Sequence, residues 1–192
     1  MTKKDSEEKK DSLQEELLET RTIIISGSVD SKLADKVITQ MLLMEKKSPK
    51  KDIKFLINSP GGEVYSGFAI FDIMKMIPCP ITTIVMGLAA SMGSMLSLAG
   101  DNGRRFALPN SKIMIHQPLL SGAEGQATDL EIHSTEILKT RKQIAKYYSE
   151  TTGKTINQIM KDMDRDHWLS SDEAVKYGLI DKVISSRADI QS

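Results

Sequence analysis

Apolar positions along this chain fall into two rhythms: short β-branched runs, and spacings of three or four residues. Thr22 to Ser26 (TIIIS) is the first such run and predicts a strand closed by Gly27. Leu33, Val37, Met41 and Met44 then share one face of a helix over residues 32–45. A second run predicts a strand at 53–57, a sharp turn at Asn58-Ser59-Pro60-Gly61-Gly62 and a helix over 64–76. The same strand–turn–helix order repeats from Ile81 to Ala99. Two short extended pieces follow, at 105–108 and 112–116. Beyond Gly125 no Gly or Pro interrupts the chain until Gly153, which predicts one long helix over 125–152 closed by Gly153 at its C-terminal cap. Shorter helices are expected at 156–163 and 172–177, with a closing strand at 179–184. Upstream, Ser12-x-x-Glu15 has the form of a capping box leading into Leu13, Leu17 and Leu18 on one face of a short helix.

Strands alternating with helices predict an α/β fold with a largely parallel sheet. A chain of 192 residues, 40% hydrophobic, suits one domain with a sizeable core. Residues 1–12, MTKKDSEEKKDS, lack apolar side chains beyond the first and are expected to form a disordered charged tail before a single domain at 13–192. That tail matches neither a secretory signal nor an Arg-rich transit peptide.

The uncharged stretch from Ile77 to Gly100 is long enough to span a bilayer. Pro78 and Pro80 open it, however, and Ser91, Ser94, Ser97, Gly87 and Gly93 dilute it, so it reads as a buried strand entering a buried helix. No membrane association is expected. The 26 basic and 26 acidic side chains cancel, which removes the field that would draw the chain to nucleic acid. A single cysteine, Cys79, excludes an internal disulfide and fits a reducing, cytoplasmic setting.

Candidate chemistry lies where strands end, because helix N-termini there present free N–H groups. Two places qualify. Paired glycines in Ser59-Pro60-Gly61-Gly62 let the backbone approach a ligand. Gly87-Leu88-Ala89-Ala90-Ser91-Met92-Gly93-Ser94 puts Ser91 near a helix start among small side chains. Ser91, Ser94 and Ser97 all compete as nucleophile, and a helix cap or a core position suits each of them equally. An alcohol nucleophile needs a base, and of three histidines His116 is the best placed, at the end of Ile113-Met114-Ile115. His133 reads as a solvated helix residue, and His167 sits in a polar stretch. Asp164 and Asp166 are the local carboxylates that could orient an imidazole, and spacing does not choose between them.

Gly153-Lys154-Thr155 imitates the end of a phosphate-binding loop, but Tyr148 occupies the position where that loop needs its first glycine. One cysteine and scattered histidines show no zinc spacing. No cofactor or metal is expected.

From about Leu17 to Val183 the chain resembles the proteolytic subunits of Clp protease, the ClpP family. The shared motifs are Ile57-Asn58-Ser59-Pro60-Gly61-Gly62, Gly87-x-Ala89-Ala90-Ser91-Met92-Gly93-Ser94, Arg105-Phe106-Ala107-Leu108-Pro109-Asn110 and Met114-Ile115-His116-Gln117-Pro118. Gly125-Gln126-Ala127-Thr128-Asp129, Asp164-Arg165-Asp166, Glu173-Ala174 and Tyr177-Gly178-Leu179-Ile180-Asp181 continue them in order. The resemblance implies the ClpP/crotonase α/β superhelix with a long protruding handle helix. It implies a serine endopeptidase with Ser91 as nucleophile, His116 as base and Asp166 orienting the base, the main-chain N–H groups of Gly62 and Met92 forming the oxyanion hole. It further implies two stacked heptameric rings and a hexameric AAA+ unfoldase, the Clp ATPase, that delivers unfolded polypeptide. Arg165, between Asp164 and Asp166, is expected to couple ring contact to the geometry of the three.

The chain departs from the family in two places. Its N-terminal arm is a Lys/Glu-rich run without the apolar residues of a pore gate, and Leu119-Leu120-Ser121-Gly122-Ala123-Glu124 replaces a glycine-rich handle segment with one that looks a residue longer. The departures allow altered ring pairing or a paralogue that works in mixed rings with a second ClpP; the rival readings are a catalytically weak or silent structural ring subunit paired with such a paralogue, and a crotonase-type acyl-CoA enzyme.

Overall fold

A computed structural model describes residues 16–119 and 125–190. The capping box at Ser12 and Glu15, the tail at 1–12 and most of the handle loop lie outside them; residues 16–19, carrying Leu17 and Leu18, are helical.

Seven strands form one sheet: β1 (Thr22–Val29), β2 (Ile53–Gly62), β3 (Ile81–Ala90), β4 (Arg105–Ala107), β5 (Lys112–Ile115), β6 (His167–Ser170) and β7 (Lys182–Val183). Six helices connect them: α1 (Ser31–Lys47), α2 (Val64–Met76), α3 (Met92–Ser97), α4 (Ala127–Thr152), α5 (Ile156–Asp162) and α6 (Ser171–Tyr177). A 3-10 turn, Arg187–Ile190, follows. This is a mixed α/β fold, with β1 to β5 and β7 paired in parallel.

Alternation explains how the sheet is covered. Ile23 and Ile25 of β1, with Phe55 and Ile57 of β2, are buried under the helices, as period-two side chains on one face must be. The intervening Ile24 and Leu56 point the other way, where Ile84, Phe106 and Ile184 form a second, smaller apolar cluster. Asp30 starts α1 by accepting a hydrogen bond from the Leu33 amide at 2.8 Å. That helix then buries Ala34, Val37, Met41 and Met44.

β3 forks. Its first half, Thr83 to Val85, pairs with β4, which in turn pairs with β7. Its last residues, Leu88 to Ala90, pair with β5. The antiparallel strand β6 then adds to the far side of β5, Ile115 opposite His167 and Lys112 opposite Ser170. α4 spans 26 residues, about 39 Å at helical rise, yet its buried residues are Ile144, Ala145 and Tyr148, near one end. Leu130, Ile132 and Leu138 earlier in the helix are exposed.

Four expectations from sequence are corrected. Gly27 does not close β1: it takes φ +82° in a bulge between Ser26 and Ser28, and pairing resumes to Val29. Nor does 58–62 turn sharply. β2 runs on through it, with the buried Ser59 hydroxyl donating to the Gly27 carbonyl at 2.6 Å and accepting from the Gly61 amide at 3.1 Å. The closing strand shrinks from 179–184 to the two residues of β7. The strand β6 was not expected at all. Gly153 caps α4 in the left-handed region, φ 71°. The uncharged stretch forms β3 and α3, and no helix among the described residues is long and apolar enough to cross a membrane.

Candidate active site

Ser91 joins β3 to α3 with φ 54° and ψ −123°, a conformation that side chains other than glycine's rarely take. Its surroundings hold it there. The Ser91 amide donates to the Met114 carbonyl of β5 at 3.0 Å. The Ser91 carbonyl accepts from the Met95 amide at 3.1 Å and from the Ser94 hydroxyl at 2.7 Å. A sharp strand-to-helix turn of this kind lifts the serine clear of the sheet.

Glycines allow the rest of the chain to close on this turn. A Cβ on Gly61 would lie 2.6 Å from Ser91 Cβ and 2.8 Å from the Met92 nitrogen, and one on Gly93 would lie 2.7 Å from the Ser59 carbonyl oxygen. The end of β2 therefore packs main chain against main chain on the turn. Gly62 follows at φ 154°, where a Cβ would meet the Val29 carbonyl oxygen at 2.2 Å.

His116 follows the last residue of β5. Its Nδ1 stands 3.1 Å from Asp166 Oδ1, two residues 50 positions apart in the chain. Pairing of Ile115 with His167 creates this approach, and contact between the two segments continues past the strands out of register: the Gln117 amide donates to the Met163 carbonyl, and its side chain to the Asp164 carbonyl at 2.9 Å. The His116 side chain is 15% exposed and that of Asp166 58%, so the pair sits at a rim.

Ser91 and His116 line one small cavity of about 10 Å³, with Val64, Met92, Met95, Pro118, Ile144 and Tyr148. Among the described residues no hydrogen bond joins Ser91 to His116. Tyr148 is buried, its hydroxyl 2.6 Å from Ser94 Oγ. Burial pushes that phenol well above its ordinary value, against the opposing pull of the Ser94 bond.

The other candidates lie elsewhere. Ser94 and Ser97 are buried, and Ser97 donates to the Ser94 carbonyl at 2.6 Å. His133 is exposed on α4, and His167 packs its ring on Tyr177 with centroids 5.6 Å apart. Asp164 accepts from Arg141 of α4 at 3.1 Å. Arg165 is exposed, and among the described residues no hydrogen bond or ion pair joins it to Asp164 or Asp166. No group of three or more His, Cys, Asp or Glu gathers to hold an ion among the described residues.

Sequence reasoning overlooked Tyr148, Ile144 and Met95. Ile144 and Tyr148 stand four apart on a helix, a spacing that puts both on one face, so the pattern for this wall was present in the chain.

The chain was compared with known proteins. A profile of the Clp protease family matches residues 5–187. The ATP-dependent Clp protease proteolytic subunit 1 of Protochlamydia amoebophila (strain UWE25) is 54% identical over 183 residues, spanning 95% of this chain and 89% of that protein. On both the profile and the identity, this chain belongs to the Clp protease family.

Proposed function

We propose that the protein is a serine endopeptidase subunit in which Ser91 attacks the peptide carbonyl, His116 accepts its proton and Asp166 orients the imidazole. One observation carries the reading: a strained serine turn shares its cavity with a histidine bonded at 3.1 Å to a carboxylate. Nδ1–H of His116 donating to Asp166 leaves Nε2 free as the base. The amides of Gly62 and Met92 would hold the oxyanion; losing one such donor costs ~10²–10³ in turnover. His116 then protonates the departing amine. Water, deprotonated by the same imidazole, releases the acyl group and restores Ser91.

Two stacked heptameric rings fed by a hexameric AAA+ unfoldase, in the cytoplasm, complete the proposal. The relative's name, ATP-dependent Clp protease proteolytic subunit, supports it. So do the large apolar side chains Leu130, Ile132 and Leu138, which α4 leaves exposed around its first half in the single chain. Arg165 is proposed to transmit ring contact to Asp166. Arg165→Ala should weaken assembly and peptidase activity together; two unchanged values would end that role.

A second reading, a catalytically silent ring subunit paired with a paralogue, draws on the missing Ser91–His116 hydrogen bond. Such bonds often tighten only in the reacting complex. A fluorophosphonate distinguishes the readings. Labelling mapped to Ser91 and abolished by His116→Ala is expected, whereas an assembled tetradecamer that takes no label is the silent subunit.

A further inference from the structure

We propose that Tyr177 is a positioning residue for the peptidase: it clamps the segment between α5 and β6 at both ends and so holds Asp166 against His116. The inference rests on the peptidase reading above.

Asp166 reaches His116 from an exposed stretch of chain. Its side chain is 58% exposed, and among the described residues its carboxylate bonds to His116 alone. A single bond of that kind cannot locate a carboxylate whose main chain is free to shift, so its position depends on what holds residues 163–166. From the His116 side, Gln117 bonds to the Met163 and Asp164 carbonyls.

Tyr177 holds the segment from its other side. Asp162 is the last residue of α5 and His167 the first of β6. Tyr177, the last residue of α6, touches both. Its hydroxyl donates to Asp162 Oδ2 at 2.6 Å, and its ring meets that of His167 with centroids 5.6 Å apart. Successive side chains of extended chain point to opposite faces, so with Asp166 turned to His116, His167 turns onto Tyr177.

The clamp is itself fixed. Asp162 accepts from Gln158 Nε2 through its other oxygen at 2.7 Å. Lys154 Nζ stands 4.5 Å from the centre of the Tyr177 ring. The chain then turns at Gly178, φ 96°, where a Cβ would lie 3.1 Å from Thr152 Cα, so the end of α6 packs on the end of α4. Burial first, then the bond to Asp162 and its charge, push the phenol well above its ordinary value. At neutral pH it therefore keeps the proton it donates.

Tyr177, Asp162 and His167 do not line the cavity beside Ser91. Losing the clamp should lower kcat and leave KM near its wild-type value.

The test uses the full chain, one fluorogenic peptide and a fluorophosphonate that titrates Ser91, so that kcat is counted per competent site. Tyr177→Leu removes both hydroxyl and ring and should lower kcat roughly 10²-fold, the scale of a misplacement of about 1 Å. Tyr177→Phe keeps the ring and should lose less. Asp162→Ala should lose as much as Tyr177→Phe, and the two together no more than either. Asp162→Asn keeps an acceptor and should recover wild-type turnover. Because Tyr177 acts through Asp166, Tyr177→Leu should cost less than about twofold in a chain already carrying Asp166→Asn.

Wild-type kcat per site in Tyr177→Leu overturns the proposal. So does an equal loss with and without Asp166→Asn, the mark of a general loosening of the fold. Wild-type turnover in Tyr177→Phe, beside a loss in Tyr177→Leu, overturns the part given to Asp162. If Tyr177→Leu yields no titratable sites, Tyr177→Phe and Asp162→Ala carry the test, and wild-type turnover in both overturns it. Label on Ser91 with an unmoved kcat in Tyr177→Leu removes the clamp and leaves the peptidase. A wild-type protein that takes no label and cleaves nothing removes both.

Discussion

The two branches that leave β3 are built from similar short strands and end in opposite ways. The β4–β7 branch is parallel and closes on itself. Phe106 and Ile184 pack with Ile84, and the buried Arg105 meets Asp181 through both its guanidinium and its amide. The β5–β6 branch is antiparallel and leaves polar groups at its open end, His116, Gln117 and Asp166 among them. Parallel pairing demands a crossover and favours a covered strand, whereas an antiparallel ribbon can hold one rim in water. The difference suggests a division of labour: one branch secures the sheet, and the other carries side chains to the cavity.

The comparison breaks most visibly at Asp166. Asp166→Asn preserves size but gives the imidazole the wrong partner, and turnover should fall on the order of 10⁴-fold. Thermal stability should barely move, since Asp166 is 58% exposed. Asp164→Asn is the control. Its contact with Arg141 is an exposed ion pair of ~0–1 kcal/mol, so activity should stay within about fivefold. Measuring kcat and melting temperature for both variants checks the assignment, and a collapse in Asp164→Asn with Asp166→Asn intact would reverse it.

The second prediction inverts that signature. Asp181→Ala leaves the Arg105 guanidinium, 10% exposed, without its carboxylate, and orphans the Arg105 amide as well. Breaking a pair this buried costs about 3 kcal/mol. For a chain of this size that lowers Tm by roughly 6–12 °C. Turnover per folded molecule should be unchanged at 25 °C. A melting temperature that stays put, or a selective loss of turnover, would show that the branches are not separable.

The same contrast explains what could be read from the sequence. Residues 64–76 came out as the helix the structure contains, and 32–45 nearly so, because apolar spacing reports which face a helix buries. β6 did not. It has four residues, its pattern Asp166-His167-Trp168 looks polar, and Trp168 is exposed; what makes it a strand is β5, more than fifty residues earlier. The choice between Asp164 and Asp166 was invisible for the same reason. Those two carboxylates differ in their neighbours through the register of one antiparallel pair, and a register leaves no local mark on a sequence. Pro60 and two glycines imitated a turn, yet the Ser59 hydroxyl satisfies the backbone of a bulged strand instead. The family resemblance supplied Ser91, His116 and Asp166 as candidates; composition and spacing alone left three serines and two aspartates open.

The smallest effect tests whether the branches are joined. α6 runs from β6 to β7, linking their far ends, and it begins with a capping box. Glu173 accepts from the Ser170 hydroxyl at 2.6 Å and from its amide at 2.7 Å. Those bonds, the hydroxyl's first, hold the Glu173 carboxyl below its usual range. A group whose folded value is depressed adds stability above the unfolded carboxylate range, near pH 4, and loses it as pH falls through the folded value. Glu173→Gln removes the titration and keeps an acceptor. The wild-type protein should therefore melt slightly above Glu173→Gln at pH 7, and the gap should close as pH drops below about 4. If α6 is a passive link, turnover of Glu173→Gln at pH 7 will match wild type. If turnover falls while Tm moves by less than a degree or two, the cap on α6 sets the position of β6 and hence of Asp166, and the two branches work as one.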